Sequence, residues 1–231
     1  MSIKTIVSYD GTANDRDALA LGRALRDRGA SLVLAYVRHT AQSGDARELL
    51  AQEEATRLLE DGARWLDAPD TPRHVVLSRS TAQGLRDLAE REGAEIVVFG
   101  SDAHTAPGHV APGTSAQRLL RGAPVAVAIA PARLRDRERV DLGRIAIAGG
   151  DSDPVARDTA AVLGGVDAEN LATPAADPID LLVLGSGPGA VDGDVGLSAA
   201  SDYLLETARS PVLVLRRGVA VTFDRMLAAT S

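Results

Sequence analysis

Short apolar runs rich in Val and Ile alternate along the first 130 residues with longer stretches whose apolar positions recur every three to four residues. The runs at 4–8, 31–37, 74–78, 95–99 and 125–130 carry the strand signature; the stretches near 14–28, 45–67, 81–93 and 114–122 carry the helical one. Short strands alternating with helices pair in parallel through right-handed crossovers. The pattern therefore predicts an α/β fold with a doubly wound, parallel five-stranded sheet in the order 3-2-1-4-5. In such sheets ligands bind outside the carboxyl ends of the strands where the winding reverses, here between the first strand and the fourth.

Residues 132–142 break the pattern. Rich in charge and arginine and without apolar periodicity, they are expected to be a linker between a complete domain at 1–131 and a second, smaller unit. Over 143–218 a reduced second copy is expected, retaining strands 1, 4 and 5. Arg144-Ile145-Ala146-Ile147-Ala148 repeats the first strand, and Asp151 falls where Asp10 falls at an offset of 141. Leu181-Leu182-Val183-Leu184-Gly185-Ser186 matches Ile96-Val97-Val98-Phe99-Gly100-Ser101 at an offset of 85, and Ser210-Pro211-Val212 matches Ala123-Pro124-Val125. The two offsets differ by 56 residues, the length of the second and third strands with the helix between them. Such a deletion leaves a coherent three-stranded sheet but bares the edge of its first strand, which must be covered. Residues 167–178, the run 219–223 of the C-terminal tail (219–231) or another subunit are expected to cover it.

Composition narrows the function classes. The 231 residues are 45% hydrophobic but only 3% aromatic, so the core must be built from Val, Leu, Ile and Ala, as in parallel strands covered by helices. A net charge of −7 speaks against nucleic acid as the main partner. No apolar run reaches the roughly 18 residues of a membrane span, and the chain opens on a strand instead of a basic and apolar leader, so a cytoplasmic protein is expected. Absence of Cys removes thiolate chemistry and Cys-based metal sites. Lys4 is the sole lysine, which excludes a phosphate-loop lysine or a Schiff base elsewhere.

The candidate chemistry lies after the fourth strand. Gly100, Ala103, Gly113, Thr114 and Ser115 frame a loop that leads into a helix start, where glycine permits close backbone approach to a phosphate. The hydroxyls of Thr114 and Ser115 serve either to bind phosphate or to cap the helix, and the sequence leaves both open. Asp10, in Asp10-Gly11-Thr12 after the first strand, would be the neighbour of this loop and suits a base or ribose better than a phosphate. His104 and His109 read as exposed loop residues.

This combination resembles the universal stress protein family in a tandem form. The family's nucleotide motif, G-x2-G-x9-G-[ST], falls on Gly100, Ala103, Gly113 and Thr114 with Ser115 following, and the second glycine is replaced by Ala103. Asp10 matches the acidic residue that contacts the base or ribose side in ATP-binding members, and Val37 matches the apolar residue whose backbone meets the adenine. The resemblance implies a Rossmann-like fold, ATP or another adenine nucleotide in the first domain with Mg accompanying it, a role in the stress response, and a homodimer formed through sheet edges. Fifth strands pair across that dimer in the family; here 125–130 and 212–215 can instead pair within one chain. Ala103 is compatible with the loop if its φ is negative and harmful if φ must be positive. Family loops often carry Arg or Lys, and 101–112 has neither.

In the second copy the loop that opens Gly185-Ser186-Gly187-Pro188 ends near Ala199-Ala200-Ser201 without a closing glycine, so no nucleotide is expected there. Asp192-Gly193-Asp194 reads as a solvated turn. The leading functional reading is a small-molecule sensor or regulatory protein that binds an adenine nucleotide. The alternative is a nucleotide-free interaction or dimerisation module, with an unidentified protein partner, whose site has degenerated. No catalytic constellation stands out, although slow ATP hydrolysis is compatible with the loop.

Overall fold

A computed structural model describes residues 3–39, 45–148, 154–163, 169–170 and 179–221. Their strands are β1 (Lys4–Ser8), β2 (Ser31–His39), β3 (Arg73–Ser78), β4 (Ile96–Gly100), β5 (Ala126–Ala130), β6 (Ile145–Ala148), β7 (Glu169–Asn170), β8 (Leu181–Leu184) and β9 (Val212–Val214). Helices are α1 (Asp15–Arg26), α2 (Asp45–Trp65), α3 (Thr81–Glu92), α4 (Thr114–Leu119), α5 (Pro154–Val162) and α6 (Ala199–Thr207). All described strands join one sheet in the order β3-β2-β1-β4-β5-β9-β8-β6-β7. The first five take the expected order 3-2-1-4-5, and β6, β8 and β9 stand in the relative order expected for strands 1, 4 and 5 of a reduced copy. Neighbours are parallel except β5 and β9, which are antiparallel.

The apolar runs form strands because both faces of the sheet are covered. α1, α2 and α5 pack on one face through Leu19, Leu25, Leu59 and Ala160; α3, α4 and α6 pack on the other through Leu85, Leu88, Leu119 and Leu205. β2 runs two residues beyond the expected end at Val37, because β3 stays paired with it as far as His39 opposite Ser78. The connecting stretch 132–142 is docked on α1. Asp17 of α1, fully buried, accepts the N–H groups of Arg133 (2.9 Å) and Arg135 (2.8 Å) and the Arg135 guanidinium (2.8 Å).

The hydrogen bonds of the two halves repeat at an offset of 85. Ser101 Oγ donates to the Ala130 carbonyl (2.7 Å) and accepts the Ala111 N–H (3.2 Å); Ser186 Oγ donates to the Leu215 carbonyl (2.6 Å) and accepts the Gly196 N–H (2.9 Å). Gly108 N–H donates to Ala132, and Gly193 N–H to Arg217. Contacts between the halves are reciprocal: Val110 N–H donates to Ala208, and Val195 N–H to Ala123. β5 and β9 meet with Val127 opposite Val214, Ala128 opposite Leu213 and Ile129 opposite Val212, which places a local two-fold axis at Ala128 and Leu213.

One expectation changes here. The match of Pro211 to Pro124 is two residues out of register, since Val212, not Val214, holds the place of Val127. A shift of two keeps each side chain on its face, so the pattern alone does not expose it. Pro211 thus stands where Ala126 donates its N–H to Glu95 in the first half, and proline, having no N–H to give, shortens β9. The pairing of 125–130 with 212–215 within one chain is as expected, and it places β5 between β4 and β9.

The bared edge of β6 carries β7, with Ala146 opposite Glu169 and Ile147 opposite Asn170, inside the segment expected to cover it. Val221, from the other candidate segment, is buried and donates its N–H to Thr159 of α5. Asp151 lies outside the described residues.

Candidate functional site

β1 and β4 deliver two loops side by side at the carboxyl edge of the sheet, as the switch-point argument expects. Asn14 joins them. Its side-chain amide donates to the carbonyls of Ser101 (2.9 Å) and Asp102 (2.8 Å), so it is not available to cap α1, whose N-cap it occupies. The Asn14 carbonyl lies against Gly100, where a Cβ would come within 2.1 Å of its oxygen. Gly100 is therefore required by the packing of one loop on the other.

Gly113 differs. It precedes α4 with an extended backbone (φ −69°, ψ 169°) that any residue adopts, and a Cβ there would meet only Asp102 Oδ2, at 4.0 Å. Nothing among the described residues demands glycine at this position, and the space above it is open. Gly113 is itself the N-cap and provides no side-chain cap; the Thr114 and Ser115 hydroxyls have no protein partner among the described residues. Ala103, exposed in the loop, keeps a negative φ, so its methyl costs no backbone strain. The loop is pinned from within by Ser101 and by Val110, which is buried.

On the β1 side, Asp10 and Asp15 form a carboxyl pair. The Asp10 N–H donates to Asp15 Oδ2 (2.6 Å), and Asp10 Oδ1 accepts the Thr12 N–H (3.1 Å). Burial pushes the Asp15 carboxyl up to about 8, and the hydrogen bond to Asp10 and its negative charge add to the rise. Burial also acts to raise Asp10, but hydrogen bonds from Asp15 and from the Thr12 N–H and hydroxyl outweigh it and hold Asp10 below the ordinary carboxylate value. The pair thus shares one proton near neutral pH, with Asp15 as donor and Asp10 as acceptor.

Val37 closes the third side. In β2 the Leu34 N–H points to the β3 side, donating to Pro72, while the Ala35 carbonyl points to the β1 side, accepting the Tyr9 N–H. Alternation along a parallel strand turns the main chain of Val37 to the same side as Ala35, past the last bond to β1. Its side chain is buried against α3.

The corresponding loop of the second half is built differently at its helix end. Ser198 takes the place of Gly113 and caps α6 by accepting the Ser201 N–H (3.1 Å); a Cβ at Gly187 would lie 3.1 Å from Ser198. Asp192 is ion-paired to Arg217 (2.8 Å). A cavity of 840 Å³ lies between α4 and α6, lined mostly by the second half, from Gly187 to Ala199 and along α6, and on its other side by Pro112, Gln117, Leu120 and Arg121.

Comparison with known proteins agrees with the fold. The model of the universal stress protein family matches residues 2–131, and the chain belongs to this family. Universal stress proteins of Mycobacterium tuberculosis and Mycobacterium bovis are 33% identical to it over 124 residues, 49% of this chain and 42% of theirs, so the match spans less than half the length of those relatives. A crystal structure of a universal stress protein from Archaeoglobus fulgidus superposes with a TM-score of 0.67 at 15% identity, covering 93% of this chain and 98% of the other. A functionally unknown Pseudomonas aeruginosa protein gives a TM-score of 0.55 at 14% identity, covering 93% and 92%. These two likenesses concern the fold.

Asn14, Asp15, Asp17 and Asp102 escape the sequence reading as site residues. Asp15 and Asp17 look like ordinary acidic residues at a helix start, where they favour the helix dipole.

Proposed function

We propose that this is a tandem universal stress protein whose complete unit, 1–131, binds ATP or a related adenine nucleotide and works as a cytoplasmic sensor or regulatory protein, not as a catalyst. Residues 143–218 are in this reading a degenerate second copy without a nucleotide, which is supported by the repeat of hydrogen bonds at an offset of 85 and by Ser198 at the place of Gly113. Val37 meets the adenine with its main chain, Asp10 accepts from the ribose, and Gly113, Thr114 and Ser115 line the phosphate end, with Gly100 and Ala103 shaping the loop. The observation that carries the reading is the opening above Gly113, a glycine that the protein's own packing does not need. Mg accompanies the nucleotide on its phosphates in this reading; among the described residues no group of three or more acidic or histidine side chains is arranged to hold a metal ion. No described helix is long and apolar enough to cross a membrane.

Isothermal titration with ATP and AMP tests this. Wild-type protein is expected to bind, and Gly113→Val, which fits the extended backbone, to lose binding while unfolding at nearly the wild-type temperature. Gly100→Val is unsuitable, because its side chain would collide with the Asn14 carbonyl. No heat at millimolar ligand from folded wild-type protein sinks the proposal.

A second reading, a nucleotide-free interaction module, is favoured by two observations: packing against Asn14 alone accounts for Gly100, and 101–112 has no Lys or Arg. It expects Gly113→Val to leave the cellular stress phenotype unchanged.

A further inference from the structure

A Cβ on Gly113 would lie 4.0 Å from Asp102 Oδ2, so a group that settles on the Gly113 backbone comes close to the Asp102 carboxylate. The carboxylate is held there. Asp102 donates its N–H to the Ala111 carbonyl (2.8 Å), its own carbonyl accepts the Asn14 amide (2.8 Å), and its Oδ1 accepts the His104 N–H (3.1 Å). Both sides of the residue are therefore fixed to neighbouring loop segments, and Oδ2 faces the opening.

Among the described residues the nearby cations are engaged or turned away: Arg133, next to the Ala132 that pairs with the loop at Gly108 and His109, is ion-paired to Asp136 (3.9 Å). The imidazole of His104, with Nδ1 3.5 Å from Asp102 Oδ1, is 98% exposed. Lys4 is at the opposite end of β1, paired with Glu92 (3.1 Å). Arg16 is engaged beside the Tyr9 hydroxyl, and Arg118 sits in the last turn of α4, away from its start. The Asp10–Asp15 pair adds a further negative charge on the β1 side.

We infer that Asp102 is a specificity-determining residue that makes the site select adenosine or its monophosphate over the triphosphate, by holding a carboxylate where a phosphate chain must pass. The inference rests on the adenine-nucleotide reading above. A fixed carboxylate some 5 Å from a phosphate at a water-exposed mouth weakens binding by about tenfold, and more phosphates bring more repulsion. Divalent metal offsets the effect by neutralising the phosphates, and salt reduces it by screening.

The test is isothermal titration of the full chain with adenosine, AMP and ATP in EDTA at low salt, for wild-type protein and for Asp102→Asn, which keeps the shape and the acceptor for the His104 N–H but removes the charge. Wild type should bind adenosine at least about tenfold more tightly than ATP, with AMP between the two. Asp102→Asn should tighten ATP by about tenfold and leave adenosine within about twofold. ATP binding more tightly than AMP to wild type, or Asp102→Asn changing adenosine and ATP alike, overturns the inference while leaving the nucleotide reading standing. Absence of binding by all three ligands to folded protein overturns both.

Discussion

Asp15 is the residue whose protonation the fold changes most visibly, and the change has a direction in pH. In the unfolded chain its carboxyl releases its proton near the ordinary value of about 3.9. Folding holds that proton up to about 8, through burial first and the contact with Asp10 second. Between those values the folded protein binds more protons than the unfolded chain, so stability falls as pH rises across that window and levels off above it. Asp10 acts elsewhere. Its lowered value contributes stability above the unfolded carboxylate range and loses it only below roughly pH 4. Asp15→Asn keeps a donor for the Asp10 carboxylate and an acceptor for the Asp10 N–H without titrating. Urea denaturation of this variant at intervals from about pH 5 to about pH 8 is expected to show a flatter stability profile than wild type. Equal slopes would mean that the pair does not hold the shared proton.

Between the elements, polar side chains do the work that the apolar pattern leaves undone. Asp17 ties α1 to the stretch 132–142 through two main-chain N–H groups and the Arg135 guanidinium. Asp17→Ala strands all three donors at a buried site and is expected to cost about 3 kcal/mol by chemical denaturation. A loss within the error of the measurement would show that Arg135 finds water instead. The same contrast explains what the sequence made legible. β4 and β5 could be read because their Val, Ile and Ala runs are buried on both faces, a property that each residue declares by itself. Asn14, Asp17 and Asp102 could not, since each acquires its role from a partner that only folding brings near. Asn14 reaches 87 residues to Ser101, and Asp17 reaches 118 to Arg135. Glycine was ambiguous for the same reason: Gly100 and Gly113 look alike in the motif, yet one lies under a carbonyl and the other under open space.

At the scale of the whole chain, the β5–β9 junction has the symmetry of an association between two equal units, although it joins unequal ones. Ala128 and Leu213 lie on its axis, flanked by Val127 with Val214 and Ile129 with Val212, so each half presents the same register to the other. A second β5 could therefore replace β9, with Val127 opposite Ile129 and Ala128 opposite itself, and the apolar edge left by removing the second half gives it reason to do so. Residues 1–131 alone are accordingly expected to dimerise, whereas the full chain, with β5 covered, is not expected to associate through this strand. The sequence contains no cysteine, so Ala128→Cys introduces a single thiol. Directly opposite residues in an antiparallel pair lie about 4.5–5.5 Å apart between Cα atoms, within disulfide reach. Under mild oxidation the fragment carrying Ala128→Cys should cross-link to a dimer. The full chain with the same substitution should not, because Ala128 is buried there against Leu213. A monomeric fragment in light scattering, without the cross-link, would mean that the register of β5 depends on β9 itself and that the local symmetry has no independent strength.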